Sequence, residues 1–392
     1  MPLDVGRICS ELVQIKSENP PGDTAAVVEH IAGILDAIGI ECRIFENPGG
    51  RSNLISVGTG NQLLLCGHVD VVPAIGEEWR YDPYSGAEEA GYIWGRGTSD
   101  MKGGCAAILA GLSLAIDAGI EPKANLCFVC DEETGGEYGI TSLLARNRLP
   151  LTDCVIAEPT PALHPVIGQK GLCRLVLEFH GEPGHASLYP RVGRSAVMEA
   201  FSLMGFLREL HEREYAPDGE MAEIIDRSAL VLEDLFGMRK LAEIFRRITY
   251  NPGRIEGGEK ANVVAQHCTL ELDLRVPWGC CAEDVDAAIR GYARQASVVE
   301  SHVAAPSYTS HGSRIVRTVC EEVSRIHGIA AAPIVQWAAS DAKFLRAEGF
   351  PVVEYGPGEI TTLHAVDERV RVRDLERAAD VYCGIITAYS GR

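Results

Sequence analysis

Histidine and carboxylate side chains recur where short apolar segments of the sequence end. His68 and Asp70 follow Gln62–Cys66, a run whose apolar residues predict a buried strand. Their i, i+2 spacing would place both side chains on one face if the strand continued. This spacing suits an imidazole metal ligand whose second ring nitrogen is oriented by a neighbouring carboxylate. An ordinary His–Asp pair in a loop is the alternative.

A glycine-dense loop, residues 95–104, precedes a helix predicted at Cys105–Ala118 and contains Asp100. At the start of a helix an aspartate is commonly an N-cap, and Asp100 could have that role. Four glycines within these ten residues exceed what capping requires, and they indicate unusual backbone angles or close approach of the chain to another group. The loop lacks the GxxxxGK[ST] spacing of a phosphate-binding loop.

Three consecutive acidic residues follow the next predicted strand, Ala124–Val129. They are Asp131, Glu132 and Glu133. At the end of a buried strand such residues repel one another unless cations compensate their charge. A solvated acidic loop is the alternative interpretation.

Two further candidates complete the pattern. Glu158 follows the predicted strand Asp153–Ala157, and His364 follows the Gly/Pro-rich stretch Tyr355–Gly358. Functional groups of α/β proteins gather beyond the carboxyl ends of the strands, so these side chains can meet. Histidines mixed with carboxylates suit Zn²⁺, Co²⁺ or Mn²⁺, and a carboxylate shared by two ions is a common way to build a two-ion site.

The elements that carry these residues predict an α/β protein. Over residues 1–170, helical segments alternate with strands that are apolar throughout, which is typical of strands covered on both faces. We therefore expect a catalytic domain with a mostly parallel central sheet flanked by helices. Its first part is residues 1–170 and its second part is residues 306–392.

Residues 171–305 have a different pattern and predict a smaller inserted α+β domain, a lid or dimerisation domain. Leu172–His180 alternates as a strand, Arg194–His211 has helical spacing, and Ala261–Val276 is expected to be one long strand. Residues 212–250 are charged and helical in character, and the pattern assigns them no place in this domain.

Composition excludes several classes of partner. The chain of 392 residues has 36 Lys and Arg against 55 Asp and Glu, a formal charge of −19 that disfavours nucleic acid and anionic membranes. The sequence has no apolar run of membrane-spanning length and no basic, apolar leader at its start. We therefore expect a cytoplasmic protein with no nucleic-acid or membrane partner, whose 13 cysteines are reduced thiols.

Six motifs in order resemble the dinuclear-zinc amidohydrolases, the family of acetylornithine deacetylase, succinyl-diaminopimelate desuccinylase, aminoacylase and glutamate carboxypeptidase. The resemblance spans nearly the whole chain and is specific for the family more than for a substrate. The motifs are GHVDVVP (67–73), GRGTSDMKGG (95–104), DEETGG (131–136), AEPT (157–160), GHAS (184–187) and LHAVDE (363–368).

The resemblance implies two divalent ions, with zinc as the first choice and cobalt or manganese as alternatives. One ion would be held by His68, Asp100 and Glu158, and Asp100 would bridge to a second ion held by Glu133 and His364. The resemblance also implies that Asp70 orients His68, that Glu132 is the general base and then the general acid, and that the Asp100–Met101 peptide is cis.

Two further sets of roles rest on the resemblance alone. His185 would donate to the oxyanion from the partner subunit of a homodimer joined through the inserted domain, whereas a surface histidine is the alternative. The substrate contacts would be Lys170, Asn262, Arg275 and Ser340. For Arg275, an ion pair with Asp273 on the same strand face is the alternative.

The expected function is metal-dependent hydrolysis of an amide bond in a small N-acyl amino acid, of the deacetylase or desuccinylase type, by a metal-activated water with Glu132 as general base. A dipeptidase or carboxypeptidase of the same family is the alternative. A non-catalytic binding protein on the same fold is the third hypothesis. It is disfavoured because the expected residue types fill all the ligand positions and the base position. A GxSxG nucleophile elbow and an HExxH zinc helix are both absent from the sequence.

Overall fold

The structure, a computed structural model, describes residues 2–57, 60–76, 78–161, 164–217 and 219–391. Its chain divides into two compact units. The first comprises Met1–Ile167, Tyr308–Ile334 and Ser340–Arg392, and the second comprises Gly168–Ser307 and Val335–Ala339. These borders lie two or three residues from the predicted ones at 170 and 305, and residues 335–339 join the second unit although their sequence pattern does not distinguish them.

The α-helices, in chain order, are α1 Val5–Gln14, α2 Ala25–Ala37, α3 Lys102–Asp117, α4 Ile140–Ala145, α5 Ala196–His211, α6 Glu220–Phe236, α7 Leu241–Arg246, α8 Ala282–Tyr292, α9 Arg314–His327, α10 Ala342–Ala347 and α11 Val372–Ser390. The strands are β1 Cys42–Glu46, β2 Ser52–Ser56, β3 Leu63–His68, β4 Ala87–Glu89, β5 Tyr92–Trp94, β6 Ala124–Val129, β7 Asp153–Ile156, β8 Val166–Gln169, β9 Gly171–His180, β10 Thr249–Gly257, β11 His267–Val276, β12 Ala296–Ala304, β13 Ser307–Tyr308, β14 Ile334–Gln336, β15 Val352–Glu354 and β16 Arg369–Arg371.

The main sheet has the strand order β1-β2-β6-β3-β7-β15-β8-β13, with β14 paired to β8. Its centre is parallel, because β3 pairs in parallel with both β6 and β7, and β15 pairs in parallel with β7. Every residue of β3 and β6 is buried, as expected of strands covered on both faces. The predicted α/β fold with a mostly parallel central sheet is therefore confirmed.

Helices α3 and α11 cover this sheet and pack closely against each other. A Cβ atom at Gly111 of α3 would lie 2.7 Å from the backbone oxygen of Ala379 in α11, so only glycine permits this approach. A small sheet in the order β16-β5-β4 also belongs to the first unit.

The second unit is an antiparallel sheet in the order β10-β11-β9-β12 with helices on one face. Along β9, buried residues alternate with partly exposed ones, and the buried set packs with residues of α5 and α8. The predicted long strand from Ala261 begins only at His267. Residues 212–250, which the sequence pattern left unplaced, contain α6, α7 and the first residues of β10.

Two general features of the chain bear on its environment. All 13 cysteines are free thiols. In the part of the chain that the structure describes, no helix is both long enough and apolar enough to cross a membrane.

Candidate active site

The carboxyl ends of three neighbouring parallel strands carry most of the predicted site residues. His68 is the last residue of β3, Glu132 and Glu133 lie in a short 3-10 turn after β6, and Glu158 follows β7. Since β6, β3 and β7 are adjacent in the sheet, their ends form one edge where these side chains meet.

Asp100 contacts both predicted histidine ligands. Its Oδ1 is 3.0 Å from Nε2 of His68, and its Oδ2 is 3.2 Å from Nε2 of His364. On one side Glu158 Oε1 is 3.7 Å from Nε2 of His68, and on the other Glu133 Oε2 is 3.4 Å from Nε2 of His364. Asp100 therefore contacts both histidines. Ligand atoms lie within 4.8 Å of one another in two groups, His68 with Asp100 and Glu133, and His68 with Glu132 and Glu158, so the predicted base also lies among the possible ligands.

The chemistry of this donor set fits two divalent metal ions. Burial raises the pKa of Glu132, Glu133 and Glu158, because carboxylates taken out of water lose the solvation of their charge. Oε1 of Glu133 is buried and has no hydrogen-bond partner among the residues that the structure describes. A site rich in buried carboxylates, with imidazoles and without thiolates, lacks the positive charge that divalent cations would bring.

Neighbouring carboxylates raise the pKa of both histidines. Burial opposes the charged form of His68, but contacts with Asp100 and Asp70 outweigh that effect and raise its pKa well above the ordinary value. Contacts with Asp100 and Glu133 raise the pKa of His364 to about 10. In return, the histidines lower the pKa of Asp100, although its burial acts in the opposite direction.

Asp100 is not an N-cap. Helix α3 begins at Lys102, and the residue before it, Met101, makes no side-chain capping bond. The Asp100–Met101 peptide bond is cis, as the family resemblance implied.

Glu368 holds the Asp100 loop from a distant part of the chain. Its Oε1 accepts the backbone N–H groups of Gly97 at 3.1 Å, Ser99 at 2.9 Å and Asp100 at 3.1 Å, and its Oε2 is 2.5 Å from Nη1 of Arg96. Both charged side chains are buried. This cluster ties the segment that carries His364 to the loop that carries Asp100.

Asp70 contacts His68 mainly through its backbone. Nδ1 of His68 lies 2.9 Å from the carbonyl oxygen of Asp70 and 3.6 Å from its carboxylate. The carboxylate instead accepts the backbone N–H groups of Glu132 and Glu133, each at 3.2 Å. Asp70 therefore positions the turn that carries the predicted base.

Asn19 is a positioning residue that the sequence interpretation missed. Its Nδ2 donates to Asp70 Oδ2 at 2.9 Å, to Asp131 Oδ1 at 3.1 Å and to Thr134 Oγ1 at 2.9 Å. It is buried and precedes the prolines of Asn19–Pro20–Pro21, whose two peptide bonds are both cis. The proline pair is the signal in the sequence that could have drawn attention to Asn19.

Ser340 and Asp341 are buried in the first unit. The Ser340 hydroxyl donates to Oε1 of Glu354 at 2.5 Å within the buried interior. Asp341 is buried, and in the described part of the chain its two carboxylate oxygens have no hydrogen-bond partner. Burial raises its pKa to about 6. The bond to Glu354 favours a structural role for Ser340 over the predicted substrate contact.

In the second unit, His185 and Asn262 lie together. His185 is exposed and begins a short 3-10 turn, with its Nδ1 2.8 Å from the Ser187 hydroxyl. The carbonyl of Asn262 accepts the backbone N–H of Ala186 at 3.1 Å. The structure thus places one predicted substrate contact beside the predicted oxyanion donor.

Lys170 is buried and fully engaged by its own unit. Its ammonium donates to the carbonyl oxygens of Ile244 and Arg247, each at 2.7 Å, and to Thr249 Oγ1 at 3.3 Å. Burial lowers its pKa to about 7. These three bonds fix the chain between α7 and β10, which favours a structural role over the predicted substrate contact.

Arg275 pairs with Asp273, the alternative that strand alternation had raised. Its Nε is 2.7 Å from Asp273 Oδ1, and its Nη2 is 3.1 Å from Oδ2. Both side chains are about one-quarter exposed, at 25% and 28%, so the guanidinium stays accessible to a ligand.

The chain is similar to known proteins over nearly its whole length. The profile of Peptidase family M20/M25/M40 matches residues 64–388. A succinyl-diaminopimelate desuccinylase of Paracoccus denitrificans is 28% identical over 407 residues, covering 98% of each chain. An acetylornithine deacetylase of Vibrio vulnificus is 27% identical over 408 residues, covering 99% of this chain and 98% of the other. The crystal structure of an M20 family metallo-carboxypeptidase of Sulfolobus solfataricus shares the fold, with a TM-score of 0.82 at 19% identity and 99% coverage of both chains.

Proposed function

Because the chain belongs to Peptidase family M20/M25/M40 and is a metal-dependent hydrolase, we propose that it cleaves the amide bond of an N-acyl amino acid. The observation that carries this proposal is Asp100, whose two carboxylate oxygens each contact a different histidine, with Glu132 close to His68. The names of the desuccinylase and deacetylase relatives support a small acylated amino acid as the substrate.

We assign the two ion positions as the donor groups suggest. His68, Asp100 and Glu158 would hold one divalent ion, and Asp100, Glu133 and His364 the other. Zinc is the first choice, and cobalt or manganese are alternatives with the same ligand preferences. When bound, such ions polarise the substrate carbonyl and lower the pKa of water toward about 7.

Glu132 would move the proton during hydrolysis. It takes one proton from the attacking water, whose oxygen forms the new bond to the acyl carbon. It then returns that proton to the nitrogen as the C–N bond breaks, which gives a carboxylic acid and an amine. The two backbone N–H bonds from its turn to Asp70 keep the carboxylate in place through both transfers.

His185 would stabilise the oxyanion of the tetrahedral intermediate, from the partner subunit of a homodimer formed through the second unit. The support is its exposed imidazole on a turn of that unit. Arg275 and Asn262 are the proposed contacts for the substrate carboxylate, since neither side chain is buried. We place the protein in the cytoplasm because 13 free thiols suit a reducing compartment.

The test is the Glu132→Gln variant assayed against a panel of N-acetyl and N-succinyl amino acids and dipeptides, with Zn²⁺ and with Co²⁺. The substitution keeps the shape and removes the base, so kcat should fall by about 10²–10⁴ while the metal content stays that of the wild type. The matched control is Glu137→Gln, an exposed glutamate in the same segment, which should keep full activity.

An unchanged kcat in Glu132→Gln would remove this residue from the mechanism. Hydrolysis confined to dipeptides would instead favour the peptidase alternative. No hydrolysis of any panel member by wild-type protein of measured metal content would contradict the proposed substrate class.

A further inference from the structure

Three side chains on the second unit form a group of potential metal ligands that the proposed reaction does not use. They are Glu178, His180 and His267, and one ligand atom from each lies within 4.8 Å of the other two. Side chains of His180 and Glu178 are each 44% exposed, and His267 is exposed. The group therefore lies on the face of the sheet that the helices α5 and α8 do not cover.

The backbone of the sheet fixes the spacing of this group. His180, the last residue of β9, pairs directly with His267, the first residue of β11, so their Cβ atoms lie about 4.5–5.5 Å apart. Glu178 is two residues before His180 on the same strand, and alternation places it on the same face. The two rings are perpendicular, with centroids 5.7 Å apart, so they do not stack.

The present contacts of the group are weak and leave the ligand atoms available. Nε2 of His180 is 3.3 Å from Oγ of Ser297 and 3.9 Å from Oε2 of Glu178. Among the described residues, no lysine or arginine forms an ion pair with Glu178, whereas Glu182 nearby is paired with Arg194. The chain as a whole has a net charge of −19, which favours the approach of cations.

We propose that Glu178, His180 and His267 bind one divalent transition-metal ion, with Zn²⁺ as the first choice. Two imidazoles and one carboxylate are a common ligand set for zinc, at about 2.0–2.2 Å from the metal. Exposed side chains reach such distances by small rotations, because the strand register already places them on one face. Water or the Ser297 hydroxyl completes the fourth position.

The bound ion would link the two strand ends from which the His185 turn departs. Strand β9 ends at His180 and strand β11 begins at His267, and the His185 turn, helices α5 to α7 and strand β10 lie between them in the sequence. A metal ion bound by both histidines would crosslink the end of β9 to the start of β11. Since the ion binds the folded unit and not the unfolded chain, it should raise the melting temperature.

Equilibrium dialysis of the full chain against increasing Zn²⁺, with elemental analysis of the bound metal, tests this site. Wild type should bind one equivalent more than either His180→Ala or His267→Ala. Losing a residue that merely orients a ligand weakens metal binding by about 10–100-fold, so losing a ligand itself should cost at least about 100-fold. The matched control is His302→Ala, an exposed histidine of β12 on the same sheet, which should keep the additional equivalent.

The comparison concerns a difference of one equivalent, so it is independent of how many ions the candidate active site holds. Equal metal binding by wild type and both histidine variants would overturn the proposal, and so would loss of the same equivalent from His302→Ala. If His180→Ala does not fold, the exposed His267→Ala and Glu178→Gln provide the same comparison. Wild-type protein should also melt at a higher temperature with excess Zn²⁺ than without it, and His267→Ala should lose that increase.

Discussion

Replacing Asn19 with alanine should weaken both the fold and the catalytic rate, although this side chain touches no proposed metal ligand. Its amide donates to three acceptors, and two of them are the buried carboxylates of Asp70 and Asp131. Asp70 would keep the backbone N–H bonds of Glu132 and Glu133. The substitution therefore removes one hydrogen-bond donor from each carboxylate, and each carboxylate keeps at least one other donor.

The magnitude follows from these contacts. A buried polar group that loses its partner costs about 1–3 kcal/mol of stability. Because both carboxylates keep other donors, we expect the free energy of unfolding to fall by about 2–4 kcal/mol in total. Asn19→Asp should be worse than Asn19→Ala, because it adds a third carboxylate against Asp70 and Asp131. Since Asp70 holds the Glu132 turn, a looser Asp70 misplaces the base, and kcat should fall by up to about 100-fold with little change in KM.

Chemical denaturation and steady-state kinetics of the two variants measure these effects. The control is Asn61→Ala, an exposed asparagine that accepts a 3.4 Å bond from Asn125 and should change neither quantity. Wild-type stability in Asn19→Asp would refute the electrostatic reasoning. Wild-type kcat in Asn19→Ala would show that the turn of Glu132 does not depend on this amide.

Further substitutions probe other parts of the molecule. Asp100→Ala should lose both metal equivalents, whereas His364→Ala should mainly weaken one, as elemental analysis would show. Lys170→Met should lower the free energy of unfolding by about 3 kcal/mol, since three partly buried acceptors lose their donor. A large rise in KM at unchanged stability would restore the substrate role. His185→Ala should lower kcat by about 10²–10³, the cost of one oxyanion donor. Mixing His185→Ala with Glu132→Gln subunits should restore up to roughly a quarter of wild-type activity, because half of randomly mixed dimers carry one intact composite site of two. No recovery despite subunit exchange would contradict the shared site.

The sequence predicts the strands of the main sheet well because their apolar residues are contiguous. Runs such as Leu63–His68 and Ala124–Val129 are buried on both faces, and their composition alone indicates that environment. By contrast, Arg369–Arg371 is short and charged, and it is a strand because it pairs with Tyr92–Trp94, a distant segment. Such pairing leaves no periodic pattern in the local sequence.

The apolar residues before β11 led to the prediction of a strand that begins too early, at Ala261 and not at His267, because tertiary contacts are again not visible in the local sequence. Val263 looks like the continuation of a strand, but it forms an isolated bridge with His185, and Val264 N–H donates to the carbonyl of Gly184. These tertiary contacts, and not local propensity, keep this segment out of the sheet until His267.

Within the candidate site, residue type reveals possible ligands but not the residues that position them. His and carboxylate side chains at strand ends are conspicuous in the sequence. Asn19 and Glu368 act through partners 51 and 272 residues away, Asp70 and Arg96 respectively, and nothing in their local sequence reports those contacts. Their roles become apparent only from the geometry of the folded chain.

The first unit consists of three separate segments of the chain, so its proposed site residues are synthesised at different times. Most of its proposed ligands lie before Ile167, but His364 and Glu368 emerge only after the whole second unit has been synthesised. Strand β15, which pairs with β7 in the middle of the sheet, is also absent until then. At about 5–20 residues per second, the roughly 200 residues between Glu158 and His364 take about 10–40 s to translate. During that interval the nascent chain has the carboxylates without His364, so the proposed second ion position cannot be complete until His364 has been synthesised.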